Sequence, residues 1–550
     1  MNAKRSVFTL MIAVLILSAC APAATQAPIA TQSKYSNGSG PAYATSAPAG
    51  QVPPMPTSPP APTAAPQASG PLQAPFNPNY PNYGNPGTMP YYPAPGQPDN
   101  NFQNYGINAY IDTRRDHLST FAVDVDTASY TVARRYVEDG SLPPQDAVRV
   151  EEFVNYFDPG YNPPESAAFS IYADGAPSPF ETDGTLLLRI GIQGYRVPDS
   201  QRKPAALTFV IDISGSMDMG NRLGLVKQSL TKLVSRLRRD DTIGIVVFGT
   251  EARVVLEATP ASHKGYIIDA IDSLQTEGST NAEAGLRLGF DLAGRSYRSG
   301  AINRVILCSD GVANVGNTTA ESILEFVQGS ISEGISLSTF GFGMGNFNDV
   351  LLEKLADKGN GVYAYIDNED EAERLFIENL TSTLQTIAQD AKVQVDFNSD
   401  VVADYRLLGY ENRAMADQNF RNDAVDAGEI GAGHHVVAIY AVQLNRAASG
   451  RLATVQLRWK DPQSGKVSEI NGNLNTWDVA ADFNQADPHF QLAATVAQYA
   501  ELLRGSPWAK TPMSVVARYA SWLQGKLPDD SDVAEFAGLV QQAEGLWRGE

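Results

Sequence analysis

Between residues 205 and 388 the chain alternates two hydrophobic periods, and this alternation limits its fold more than any other feature. The apolar run 207–211, closed by Asp212, reads as a buried strand. Leu223, Val226, Leu230, Leu233, Val234 and Leu237 then recur three and four residues apart, one face of a helix. Residues 242–248 are the next strand, with 254–256 a short companion, and helical patterns follow at 264–274 and 282–293. A strand at 304–309, a helix at 320–332 and a strand at 335–340 come next. Helices at 349–358 and 369–388, separated by a short strand at 362–366, complete the series. Strands alternating with helices predict a mostly parallel sheet covered on both faces, a doubly wound α/β sandwich.

Three segments at strand ends and helix starts concentrate oxygen donors. Asp212-Ile213-Ser214-Gly215-Ser216 follows the first strand and sets an acid and two hydroxyls at alternating positions of a turn. Glu277-Gly278-Ser279-Thr280-Asn281 precedes a helical pattern, and Val305-Ile306-Leu307-Cys308-Ser309-Asp310-Gly311 ends a strand on an aspartate. Hard oxygens suit Mg2+ or Mn2+ and suit zinc poorly. The first motif alone is weak, because Asp and Ser are common turn and cap residues. Asp212, Thr280 and Asp310 nevertheless all fall at the sheet edge where open α/β folds bind ligands. Thr280 has a rival in the adjacent Ser279, and Asp218 reads as a surface turn acid.

These segments resemble the metal-ion-dependent adhesion site of the von Willebrand factor type A domain, and the likeness covers roughly 205–385. Ser338-Thr339-Phe340-Gly341-Phe342-Gly343 looks like that family's next strand and loop. The flanks resemble those of a bacterial lipoprotein family carrying this domain: Thr120-Phe121-Ala122-Val123-Asp124-Val125-Asp126-Thr127-Ala128-Ser129-Tyr130 upstream, and Gly409-Tyr410-Glu411-Asn412-Arg413 with Asp426-Ala427-Gly428-Glu429-Ile430-Gly431-Ala432-Gly433-His434 downstream. The resemblance implies that Ser214 and Ser216 bind the cation directly. Thr280 would join directly or through water, while Asp212 and Asp310 act through water or by orienting hydroxyls. An open coordination position would then take an Asp or Glu carboxylate from a partner protein. In some members the last helix shifts when the site fills; here that helix would be 369–388, leading into the downstream flank.

The first twenty residues read as an address. Lys4 and Arg5 precede an apolar stretch, 7–17, too short to span a bilayer, and Leu17-Ser18-Ala19-Cys20 looks like a lipobox in which Cys20 carries lipid after cleavage. An uncleaved anchor fits less well with the polar, Pro-rich sequence that follows. The expected location is a cell membrane or outer membrane, lipid-anchored and facing the periplasm or exterior. Residues 21–106 are rich in Pro, Ala and Asn and predict a disordered tether, spanning roughly 50 Å as a flexible coil. Its tyrosines Tyr80, Tyr83, Tyr91 and Tyr92 offer contacts for cell-wall sugars, but a plain spacer is the favoured reading.

About 440 residues remain, too many for one ordinary core. The expected division is an N-terminal flank at 107–204, the α/β domain at 205–388, and a C-terminal β-rich and helical region at 389–550. The formal charge of −20, from 41 basic and 61 acidic residues, disfavours nucleic acid and anionic lipid as partners. With Cys20 lipidated, Cys308 is unpaired in an apolar strand and reads as a small core residue. Strand patterns upstream (120–125, 169–173, 186–192) and downstream (393–397, 405–410, 436–444, 452–459) are too few on either side for a sandwich. The two flanks are therefore expected to pair into one β platform from which the α/β domain protrudes. The tail 488–549 reads as two or three amphipathic helices.

Other motifs have simpler readings. Asp124-Val125-Asp126 lacks the Gly and Glu of a calcium loop, so Asp126 or Thr127 is expected to cap a helix. His434-His435 carries no zinc pattern and reads as a turn into a strand. Gly341-Phe342-Gly343-Met344-Gly345 lacks a Walker lysine, and no nucleophile elbow occurs. Asn317-Thr318-Thr319 matches a glycosylation acceptor, which means little in a bacterial lipoprotein. The reading is a tethered, cation-dependent protein-binding module with no catalytic residues. Three alternatives compete with it: a metal-dependent hydrolase, a subunit of an ATPase machine, and a structural platform with an inactive site.

Overall fold

The computed structural model describes residues 100–123, 125–311, 320–325, 328–345 and 347–547. The leader with Cys20, the Pro-rich stretch to 99, Asp124 and the Asn317-Thr318-Thr319 acceptor lie outside them. The upstream flank contributes β1 (Ile111–Asp112), β2 (Leu118–Ala122), α1 (Ala128–Glu138), α2 (Val150–Tyr156), β3 (Phe169–Pro177) and β4 (Leu186–Gly194). The α/β domain opens with β5 (Ala205–Asp212), α3 (Arg222–Arg236), β6 (Thr242–Phe248), β7 (Ala252–Pro260), α4 (Lys264–Asp272), α5 (Ala282–Arg295) and β8 (Ile302–Ser309). It continues through α6 (Ala320–Glu325), α7 (Gln328–Ser332), β9 (Ile335–Phe342), α8 (Asp349–Lys358), β10 (Tyr363–Ile366), α9 (Glu369–Glu373) and, after a π turn, α10 (Leu380–Leu384). Downstream follow β11 (Thr386–Phe397), β12 (Val402–Leu408), β13 (Gly428–Gly431), β14 (His435–Leu444), β15 (Arg451–Lys460) and β16 (Val467–Asn475). Three helices end the chain: α11 (Pro488–Leu503), α12 (Met513–Lys526) and α13 (Ser531–Leu546).

The α/β domain is a six-stranded sheet ordered β10-β9-β8-β5-β6-β7, parallel except for edge strand β7. Central strand β5 is buried on both faces. Leu207, Phe209 and Ile211 join the core under α3 and α4, whereas Val210 joins the core under α5. Gly289 lets α5 approach the sheet, since a Cβ there would sit 2.3 Å from a Val210 methyl. That close approach brings the loop before α5 to the edge where β5 and β8 end.

The flanks interleave as expected. One sheet runs β1-β12-β14-β4-β3 and the other β13-β11-β15-β16, with β2 also paired to β11, so each takes strands from both sides of the α/β domain. Along β14 the period of two serves two cores: Val436, Ala438, Tyr440 and Val442 face the second sheet, and Val437, Ile439 and Ala441 face α2 and the terminal helices. The tail forms three helices, and α11 departs from an amphipathic stripe, being buried from Phe490 to Leu503.

Several expectations are corrected. The helix expected at 369–388 is broken: α9 gives way to a π turn at Arg374–Glu378, and residues 386–388 already belong to β11. The wider turn sets the Arg374 guanidinium 3.7 Å from the Tyr156 ring centroid and gives it the Tyr156 carbonyl at 2.5 Å. Residues 100–106, counted with the tether, are partly docked. Asn101 N–H donates to the Phe347 carbonyl at 2.7 Å, and Phe102 lies against Tyr136 and Phe347. One half-buried aromatic, Phe102, outweighs the polar composition around it. Thr127 makes no side-chain cap on α1; the Glu152 carboxylate accepts from Ser129 N–H at 2.8 Å, and Asp126 accepts from Tyr363 N–H at 3.0 Å.

The domain does not simply protrude, because α1 packs along edge strand β10, where Thr131 Oγ1 donates to the Tyr365 carbonyl at 2.9 Å. Next to it the buried Arg134 donates to Asp367 at 2.6 and 2.7 Å, to the Tyr156 hydroxyl at 2.9 Å, to Glu371 at 3.2 Å and to Glu535 at 2.9 Å. One guanidinium thus joins the upstream flank, the α/β domain and α13. Removing one partner of a buried charge network leaves the others uncompensated, which costs about 3–5 kcal/mol. Arg134→Met is expected to lower unfolding free energy by that amount in urea denaturation. A loss below about 1 kcal/mol would contradict the assigned role.

Candidate metal and ligand site

β5, β8 and the loop preceding α5 all end at one sheet edge. Backbone bonds lock the first and third: Gly215 N–H donates to the Gly278 carbonyl at 3.2 Å, and Glu277 N–H to the Ile213 carbonyl at 2.5 Å. Met217, fully buried, anchors the turn carrying the two serines into the core below α3. The edge therefore has a fixed shape before any side chain points outward.

Asp212 and Asp310 are both completely buried there. Asp212 accepts from Ser214 N–H at 2.8 Å through Oδ1 and from Ser309 Oγ at 2.7 Å through Oδ2. The Ser309 hydroxyl in turn accepts from Gly311 N–H at 3.0 Å, which fixes the turn after β8. Ser214 Oγ and Ser216 Oγ stand 3.1 Å apart. Thr280 is buried, whereas Ser279 turns to Thr250, its N–H 3.1 Å from Thr250 Oγ1. Asn281 caps α5, accepting from Ala284 N–H at 3.1 Å. Asp218 is exposed. The structure thus brings Asp212, Ser214, Ser216 and Asp310 to one place and holds the Thr280 loop against them.

Two contributors escaped the sequence reading. Ser309 ends the apolar strand just before Asp310 and carries no signal of its own in the sequence. Arg222 donates to Asp310 Oδ2 at 2.8 Å and also to the Met344 carbonyl. Its signal was present in the sequence, for Arg222 opens α3, whose first turn holds no acid. A cation at a helix N-terminus opposes the macrodipole and needs an anion elsewhere. The loop after β9 makes room for it: Gly343, at φ +83°, would carry a Cβ 2.1 Å from the Arg222 Nε.

Among the described residues no group of three or more His, Cys, Asp and Glu could hold a metal. His434 and His435 stay neutral, lowered by burial to about 3 and about 4, and His435 Nε2 lies 3.1 Å from the Asn155 carbonyl. Cys308 is buried and free, its thiol pushed up by burial. A cation at the sheet edge would draw on two carboxylates and complete its donors with hydroxyls. The donor set fits a hard divalent ion. The 3.1 Å between the serine oxygens is close to the edge of an octahedron with 2.1 Å bonds, roughly 3.0 Å.

Burial pushes the Asp212 carboxyl up to about 7, with the Asp310 charge adding to the rise and the Ser214 and Ser309 bonds opposing it. An acid whose folded-state value exceeds its unfolded value of 3.8 holds its proton better when folded. Its contribution to stability is therefore lost as pH climbs from about 4 to about 7. In EDTA, Asp212→Asn is expected to gain stability over the parent across that window and to keep a level advantage above about pH 8. Urea denaturation at stepped pH measures the difference, and a difference independent of pH would contradict the buried pairing.

Comparison with known proteins places the chain in a family. Residues 206–383 match the family described as von Willebrand factor type A domain, and 97–188 match one described as von Willebrand factor. Residues 382–451 and 443–546 match one described as Uncharacterized protein YfbK, C-terminal. Uncharacterized protein YfbK of Escherichia coli (strain K12) is 36% identical over 490 residues, covering 84% of this chain and 82% of its own length. Inter-alpha-trypsin inhibitor heavy chain H3 of Mus musculus is 27% identical over 219 residues, 38% of this chain but only 24% of that protein. The solved structure of von Willebrand factor type A from Catenulispora acidiphila is 15% identical, covering 71% of this chain and 88% of that one at a TM-score of 0.39. No helix among the described residues is long and apolar enough to cross a membrane. With its α/β domain and both flanks accounted for, the chain belongs to the von Willebrand factor type A domain proteins of the YfbK family, and that domain is a module of protein interaction and adhesion.

Proposed function

We propose that this chain is a divalent-cation-dependent protein-binding module of the cell envelope, without catalytic activity. Asp212, Ser214, Ser216, Thr280 and Asp310 hold Mg2+ or Mn2+, and a partner protein presents an Asp or Glu carboxylate to the remaining position. When bound, the ion supplies an electrophilic centre that attracts an external carboxylate. The protein's own part is to orient the donors. Ser309 and the Ser214 N–H fix the Asp212 carboxylate, and the buried Met217 holds both serine hydroxyls on one side. The observation that carries this reading is the meeting of two fully buried carboxylates with paired hydroxyls at the ligand-binding edge of the sheet. Lipid on Cys20 would keep the module at the membrane, facing the periplasm or exterior.

Calorimetric titration of the full chain is expected to give one saturable Mg2+ or Mn2+ site, weakened roughly tenfold or more by Ser214→Ala. Below about pH 7 uptake releases a proton, because the ion needs the Asp212 carboxylate. Capture of a partner from envelope extracts should be lost with EDTA and with Ser214→Ala. Capture indifferent to both would overturn the proposal.

A further inference from the structure

Arg222 has no place among the proposed cation ligands, yet its head is buried at the same edge, the residue being 6% exposed. Nη1 donates to Asp310 Oδ2 at 2.8 Å, and Nη2 donates to the Met344 carbonyl of the loop after β9. Gly343 leaves the space in which the guanidinium lies. This arrangement overrides an unfavourable helix dipole, which a surface arginine free to turn into solvent would not do.

The charge balance of the site gives the residue a purpose. Two ionised carboxylates and a divalent ion sum to zero, and a neutral centre exerts little pull on a third carboxylate. Neighbouring charges have partners or solvent of their own: Arg253 pairs with Glu277, Arg135 with Asp139, Arg134 is shared among Asp367, Glu371 and Glu535, and the exposed Asp218 is screened by water. Arg222 adds one positive charge where water is excluded. By occupying Oδ2 of Asp310 it also withholds one of that carboxylate's two oxygens from the ion.

We propose that Arg222 is a positioning residue that keeps the cation-loaded site one charge positive, so that the site binds metal less tightly than its oxygens allow and binds a ligand carboxylate more tightly. The proposal rests on the reading that Mg2+ or Mn2+ occupies this edge. It predicts opposite signs for two affinities, which simple damage to the fold would not produce.

The test uses the full chain, Mn2+ titration followed by electron spin resonance, and acetate as the carboxylate probe. Acetate binding to the loaded protein is read from displacement of manganese-bound water by proton relaxation. Arg222→Gln is expected to tighten Mn2+ on the order of tenfold and to weaken acetate by a similar factor. Arg222→Lys, which keeps the charge, should stay near the parent in both. The double variant Arg222→Gln with Asp310→Asn removes both partners of the buried ion pair together, so it serves if the single variant fails to fold. It should recover acetate binding, because the loaded site is again one charge positive. If the parent binds Mn2+ but Arg222→Gln weakens both affinities together, or changes neither, the role of Arg222 is overturned alone. A parent that binds no Mn2+ overturns the cation reading itself.

Discussion

Two carboxylates buried beside each other at a sheet edge are the constraint around which the rest of this structure is arranged. Asp212 ends β5 and Asp310 follows β8, the strand hydrogen-bonded to it, so adjacent parallel strands deliver two acids to the same place. Burying acids beside each other is unfavourable: loss of water, with the Asp310 charge adding to it, pushes the Asp212 carboxyl up to about 7. The surroundings answer it with hydroxyl and backbone donors and with one guanidinium. Such a site would gain from a cation more than a solvated pair of acids would.

The domain carrying this edge is continuous with the platform. Only Gln385 separates α10 from β11, the strand that pairs with β2, β13 and β15. On the other side α1 covers β10, and Arg134 joins three parts of the chain through buried ion pairs. These connections link the domain to the flanks on two sides. The break between α9 and α10 falls in one of them, so a displacement of the last helices would act directly on the end of β11.

How much was legible in the sequence follows from how local each signal was. The placement of Asp212, Ser214, Ser216, Thr280 and Asp310 was readable because each sits where a strand ends or a helix begins, a boundary that hydrophobic periodicity marks. The interleaving of the flanks was readable from a shortage of strands on either side. Arg222 was missed because its anion comes from β8 and its second acceptor from the loop after β9, far apart in sequence. The helix expected at 369–388 ran too long because its apolar spacing passes through a π turn into β11 without a Gly or Pro to mark the change. Docking of 100–102 was hidden because two asparagines and a phenylalanine within a polar stretch resemble linker until Phe347 is brought to them.

Diffraction at the manganese absorption edge, from crystals grown with Mn2+, tests most directly the proposal that these side chains surround one exchangeable cation. A single anomalous peak is expected at the sheet edge, about 2.2 Å from Ser214 Oγ and Ser216 Oγ, with Asp212 and Asp310 flanking it. A map without a peak there, or with manganese bound only elsewhere on the molecule, would contradict it.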